Sequence, residues 1–207
     1  MQDEKPCIFI IEDDEAVRDS LVLMLESVGH HAKAFANADS FLSAYSPQMS
    51  GCIVLDIRMP GMDGMELQNR LNALNSILPI IFVTGHGDVP MAVEAMQRGA
   101  MDFVQKPYRE QELLGKISAA LKLDEENRQS LQEKQLISEH LASLTPREYE
   151  VMEGMVAGKA NKVIAYDLDI SQRTVEIHRA RVMEKLNAKS LAHLVRMVLT
   201  VEGENNQ

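Results

Sequence analysis

The chain has 207 residues, 45% apolar and 25% charged, with a net charge of −10; this allows one large domain or two small ones and argues against a wholly disordered polypeptide. The acidity is uneven: residues 1–121 carry nine Lys/Arg against seventeen Asp/Glu, residues 122–142 three against five, and residues 143–207 nine against nine. Charge therefore argues against nucleic-acid binding by the first part and leaves it open for the last.

The opening segment has acidic residues where a secretory leader is basic, and no run of eighteen apolar residues follows, so a cytoplasmic protein without a membrane partner is expected. Short β-rich runs then alternate with helical patterns. CIFII at 7–11 precedes a helix near 16–28, with Val17, Leu21, Met24, Leu25 and Val28 inward, and a weaker strand near 32–35. A helix near 38–45, a strand at 51–55 and a helix at 64–73 follow. Next come IIFVT at 80–84, a helix at 88–98, a strand at 101–105 and a helix at 109–121. Gly29, Gly64, Gly99 and Pro107 punctuate the turns. Five strands separated by helices predict an α/β doubly wound parallel sheet, and the near-continuous apolar runs fit strands buried on both faces. Cys7 and Cys52 each open such a run and read as buried strand residues, with no companion ligand at metal spacing.

In such a sheet, ligands sit beyond the carboxyl ends of the strands. Asp13 and Asp14 follow the first strand, Asp56 the third, Thr84 ends the fourth and Lys106 follows the fifth, so all can meet in one mouth. Facing carboxylates repel unless a hard cation joins them, which points to Mg²⁺. Asp56 is the expected nucleophile for a phosphoryl group, with Lys106 neutralising the transferring oxygens and Thr84 bonding one of them. Movement of Thr84 would vacate space for Phe103 and reshape the face of the fourth and fifth helices. Any one of these residues alone would read as a turn former, a cap or a surface charge; it is the joint arrangement that carries the inference. Lys106-Pro107 is also a candidate cis peptide.

The segments IEDDE, LDIRMPGMDGMEL and TGHGDVPMAVEAMQRGAMDFVQKP resemble the receiver domain of two-component response regulators, especially the FixJ-like group. The resemblance implies a CheY-like fold over residues 1–121 and phosphorylation of Asp56 by a sensor histidine kinase. It implies a metal held by Asp13, Asp14, Asp56 and the Ile57 carbonyl, and a switch made by Thr84, Lys106 and Phe103, where many relatives have Tyr.

Residues 122–142 lack Pro and Gly and read as a helical linker with a hinge near 138–143. Beyond it, Thr145 with Glu148 forms a capping box with Pro146 at the first helical position, Asn161 starts a second helix, and Ser171 and Ser190 cap a third and fourth. An all-α four-helix domain over 143–207 is expected, with a helix-turn-helix whose reader spans about 172–186. Its outer face offers Glu176, Ile177 and Ala180 for base edges, while Lys162, Arg173, Thr174, Arg179 and Lys185 suit phosphate contacts.

The stretch from Leu144 to Met197 resembles LuxR/NarL-type DNA-binding domains. That implies double-stranded promoter DNA as partner, RNA polymerase downstream of an activator, and a homodimer through Leu191, Leu194, Val195 and Val198. The expected whole is a phosphorylation-controlled transcription factor, not a metabolic enzyme; a phosphate-ester hydrolase would need a substrate pocket and an independent general acid. An adaptor whose second domain no longer binds DNA stays open at this point.

Overall fold

The computed structural model describes residues 5–85 and 89–202. Its first unit, reaching Arg128, is built from β1 (Cys7–Ile11), α1 (Glu15–Ser27), β2 (His31–Phe35), α2 (Ala38–Ala44), β3 (Gly51–Leu55), α3 (Gly64–Ala73), β4 (Ile80–Thr84), α4 (Val89–Gln97), β5 (Asp102–Gln105) and the first part of α5 (Glu110–Ala142). The position proposed for the start of α4, Asp88, lies outside the described residues. All strands pair in parallel, in the order β2-β1-β3-β4-β5.

Alternation along the strands explains the unbroken apolar runs. Phe9, Ile11, Ile53, Leu55, Ile80 and Phe82 face one core with Phe41, Leu67, Leu71 and Ala95 of α2, α3 and α4. Ile8, Ile10, Cys52, Val54, Ile81 and Val83 face the other, with Leu21 and Leu25 of α1 and Leu113 and Ile117 of α5. The three central strands, β1, β3 and β4, are therefore dry on both sides, as a sheet covered by helices on two faces requires, while the edge strands β2 and β5 are partly exposed. Both thiols are free, and burial, aided by the Asp124 and Cys7 charges, pushes Cys52 up to about 12, so it stays protonated as a small core residue.

Helix α5 runs unbroken through the segment read as linker and ends at Ala142, at the edge of the expected hinge. The linker segment is not uniform: residues 122–128 belong with the first unit and the remainder with the second.

The second unit contains the end of α5 with α6 (Pro146–Val156), α7 (Asn161–Asp167), α8 (Gln172–Lys185) and α9 (Leu191–Glu202). Its core gathers Ile137, Val151, Met155, Val175, Val182, Leu186, Leu194 and Val198. The capping box forms as read from sequence: the Thr145 amide donates to Glu148 at 2.9 Å and the Glu148 amide to the Thr145 hydroxyl at 3.3 Å. Ser171 and Ser190 accept from the third residue after each of them. Asn161 opens α7, but the cap position itself is Ala160, which makes no side-chain bond.

Glu148 does more than cap. It is buried and accepts from Lys185 Nζ at 2.6 Å, tying the start of α6 to the end of α8. The Lys185 bond, with the Thr145 amide, holds its carboxyl down from 4.5 to about 2. A carboxyl held below its unfolded value stabilises the fold above that value and loses the contribution as pH falls through the folded one. Protection of the Thr145 and Glu148 amides, taken as exchange relative to the intrinsic rate at each pH, should therefore fall between about pH 4.5 and 2, and Glu148→Gln should remove that part of the pH dependence.

Candidate functional site

Strand order reverses between β1 and β3, and the crevice beyond their carboxyl ends is where a doubly wound sheet accepts ligands. Its side chains hang one residue past the strands, where a last backbone bond still fixes the chain: Glu12 N–H donates to Phe35 O at 3.1 Å, Asp56 N–H to Ile11 O at 2.9 Å and Lys106 N–H to Thr84 O at 2.9 Å. The Lys106-Pro107 bond is cis. Gly64 lets α3 begin directly beneath Asp56, since a Cβ there would lie 2.4 Å from the Asp56 carbonyl oxygen.

Lys106 Nζ lies 2.7 Å from Glu12 Oε2 and 3.4 Å from Asp56 Oδ2. Burial raises the Glu12 carboxyl, more than the neighbouring ammonium lowers it. Burial also works to depress Lys106, but the Glu12 hydrogen bond and the Asp56 charge outweigh it and hold the ammonium above its ordinary range. Lysine is therefore a fixed cation here. Thr84, at the end of β4, is buried, and Phe103 packs partly buried against the α2–α4 core.

The acidic pair is displaced by one residue from the sequence expectation. Glu12, Asp13 and Asp56 bring carboxylate oxygens within 4.8 Å of one another, a cluster suited to a divalent cation. Asp14 instead caps α1, accepting from Val17 N–H at 3.1 Å. The strand end itself is where the sequence places it, since β1 stops at Ile11 as expected; the sequence reading prefers the Asp13-Asp14 doublet over Glu12, the first residue beyond the strand and the one that looks into the mouth. The Ile57 carbonyl accepts from Gly64 N–H at 2.9 Å at the head of α3. Arg18, also missed, donates from one Nη1 to the carbonyls of Glu12 at 2.9 Å and Asp13 at 3.2 Å, fixing the loop that carries the acidic pair.

In the second unit, α7, a short turn and α8 form the helix-turn-helix, with Asp169 of the turn in the left-handed region at φ 52°. Val175 and Val182 are buried, while Arg173, Glu176, Ile177 and Ala180 are exposed and Thr174 and Arg179 half-buried. Lys162 is exposed on α7. Lys185 is committed elsewhere, to Glu148 and to the Ser143 carbonyl at 3.0 Å, which removes it from the expected phosphate contacts. The pairing surface also needs correction. Leu194 and Val198 are 0% and 2% exposed because they face the domain's own core, whereas Leu191, half-buried Val195 and Leu199 form the outward stripe of α9.

Among the described residues no helix is long and apolar enough to cross a membrane. Residues 8–118 match the response regulator receiver domain, and residues 142–198 match the bacterial regulatory proteins of the luxR family. The chain is 48% identical to the transcriptional regulatory protein FixJ of Bradyrhizobium diazoefficiens over 93% of this chain and 94% of that one. It is 42% identical to the response regulator TodT of Pseudomonas putida over 95% and 87%. A solved structure of the response regulator StyR superimposes with a TM-score of 0.84 at 44% identity, covering 94% of this chain and 98% of that one.

Glu12→Gln should weaken binding of a divalent cation at least tenfold in a calorimetric titration with Mg²⁺. Asp14→Ala should leave that affinity unchanged and cost about 1 kcal/mol of stability through the lost cap. The reverse pattern would return Asp14 to the metal site.

Proposed function

The chain belongs to the FixJ-like two-component response regulators, and on that premise we propose that phosphoryl transfer to Asp56 controls pairing of the chain and its grip on promoter DNA. As a member of that family it is a phosphorylation-regulated, DNA-binding transcriptional regulator that works with a histidine kinase. The observation that carries the residue-level reading is the convergence of Asp56, Glu12, Asp13 and Lys106 on one mouth.

An Asp56 carboxylate oxygen attacks phosphorus of a phosphohistidine or small phosphodonor; the donor's bond to phosphorus breaks as the acyl phosphate forms. Lys106 is placed to neutralise the incoming oxygens, exchanging part of its bond to Glu12 for one to the phosphoryl group. Glu12, Asp13 and Asp56 would hold Mg²⁺, which supplies further charge neutralisation. A backbone ligand is assigned to the Arg58 carbonyl, since that of Ile57 is turned to Gly64. This is self-modification followed by slow hydrolysis, not turnover of an outside substrate.

The acyl phosphate draws Thr84 inward, and Phe103 follows into the space beside α4. The exposed Val93 and Met96 of α4 then join the surface on which two copies pair. On DNA, Glu176, Ile177 and Ala180 read base edges while Arg173, Thr174, Arg179 and Lys162 hold phosphates; Leu191, Val195 and Leu199 form the α9 pairing stripe. Recruitment of RNA polymerase follows from the bound dimer.

The test is selection of genomic DNA fragments by the purified protein with Mg²⁺, with and without acetyl phosphate, beside Asp56→Asn. An approximately palindromic site enriched by the phosphodonor only in the unsubstituted protein is expected; equal enrichment in both would remove Asp56 from control, and none at any salt would favour a protein-binding adaptor. Arg179→Ala should weaken binding to every sequence alike and reduce the salt slope by about 1.

A further inference from the structure

At the end of the sheet opposite the carboxylate mouth, α5 is fastened to the strand starts through one buried carboxylate. Asp124 is 1% exposed, although Lys122, Glu125 and Glu126 beside it on the helix are solvated. Its Oδ2 accepts from Gly51 N–H at 2.8 Å, from the Ser50 hydroxyl at 2.9 Å and from Arg128 Nε at 2.8 Å. Arg128, one turn further along, also donates to the Met49 carbonyl, so two side chains of the helix grip three consecutive residues of the loop before β3. Asp124 Oδ1 is buried with no hydrogen-bond partner among the described residues.

That loop admits only glycine at its last position. Gly51 sits at φ +133°, and a Cβ there would come within 1.8 Å of the Cys7 carbonyl oxygen. The backbone conformation is therefore dictated by the close approach to β1, and it is the one that aims the Gly51 N–H at Asp124. A carboxylate taken this far from water is costly unless its partners stay in place, and removing one partner leaves the other charge uncompensated. A helix serving only as a solvated connector has no use for such a group.

We propose that Asp124 and Arg128 form a polar latch that fixes the middle of α5 to the loop before β3, and that this latch is part of the route by which the state of Asp56 reaches the DNA reader. The signalling half of the proposal rests on the function proposed above; the mechanical half stands on the bonds alone.

Hydrogen exchange on the full-length chain separates the two. In Asp124→Ala, amides of residues 122–135 and the Gly51 amide should exchange at least tenfold faster, while Ile81 and Leu71 keep their protection. Asp124→Asn, which retains an acceptor oxygen, and Arg128→Met should give smaller increases, and they serve if the alanine variant does not fold. Unchanged exchange at 122–135 in a folded variant overturns the latch. In the same variants, acetyl phosphate should still label Asp56, but the phosphodonor-dependent gain in DNA affinity should fall several-fold. Accelerated exchange with an undiminished gain would reduce the latch to a structural fastening and overturn its signalling role. If the unsubstituted protein itself shows no phosphodonor-dependent gain, it is the proposed function that fails, and the exchange data still decide the latch.

Discussion

Carboxylates crowded at the end of a parallel sheet repel one another, and the Lys106 ammonium compensates them from within. It bonds Glu12 closely and Asp56 more loosely, at 2.7 and 3.4 Å. The asymmetry restrains the lysine chiefly through Glu12 and leaves the Asp56 oxygens less encumbered, which is what the role proposed for Asp56 needs. The sheet order, the glycine beneath Asp56 and the backbone bonds one residue beyond each strand keep these groups within reach of one another. Arg18 adds a brace from outside by gathering the Glu12 and Asp13 carbonyls.

The second unit uses the same device for a different end. Glu148 and Lys185 form a partly buried pair that joins α6 to α8, and the capping box completes the acidic partner's bonds. The pair fixes the helix that carries the exposed reading face while using up a lysine which, by charge alone, would look available to DNA. The pair takes one acid and one base together out of play, so the near-neutral balance of this region is unchanged by it.

The sheet, the strand residues of both cores and the positions of Asp56, Thr84 and Lys106 were legible because strand periodicity and strand ends are local features of sequence; Val28, expected inward, is instead exposed at the C-terminal cap of α1. The acidic pair was misplaced although β1 ends where expected, because three acidic residues follow it in a row and sequence does not tell which of them turns inward: Glu12 does, and Asp14 caps α1. Leu194 and Val198 were assigned outward because an amphipathic helix does not reveal which neighbour its apolar stripe meets. Lys185, Arg18 and Asp124 owe their roles to partners whose proximity only the folded chain sets; for Asp124 the partner Gly51 is 73 residues away. Composition along 122–142 gave no hint that a single aspartate there would be buried.

The most direct measurement of the central claim is chemical location of the phosphoryl group. The full-length protein is treated with Mg²⁺ and acetyl phosphate, the acyl phosphate is reduced with borohydride, and the peptides are sequenced by tandem mass spectrometry. Conversion of residue 56 to homoserine, lost in Lys106→Ala and Glu12→Gln, is the result this account predicts; labelling at Asp13 or Asp14 in place of Asp56, or labelling indifferent to both substitutions, would contradict it.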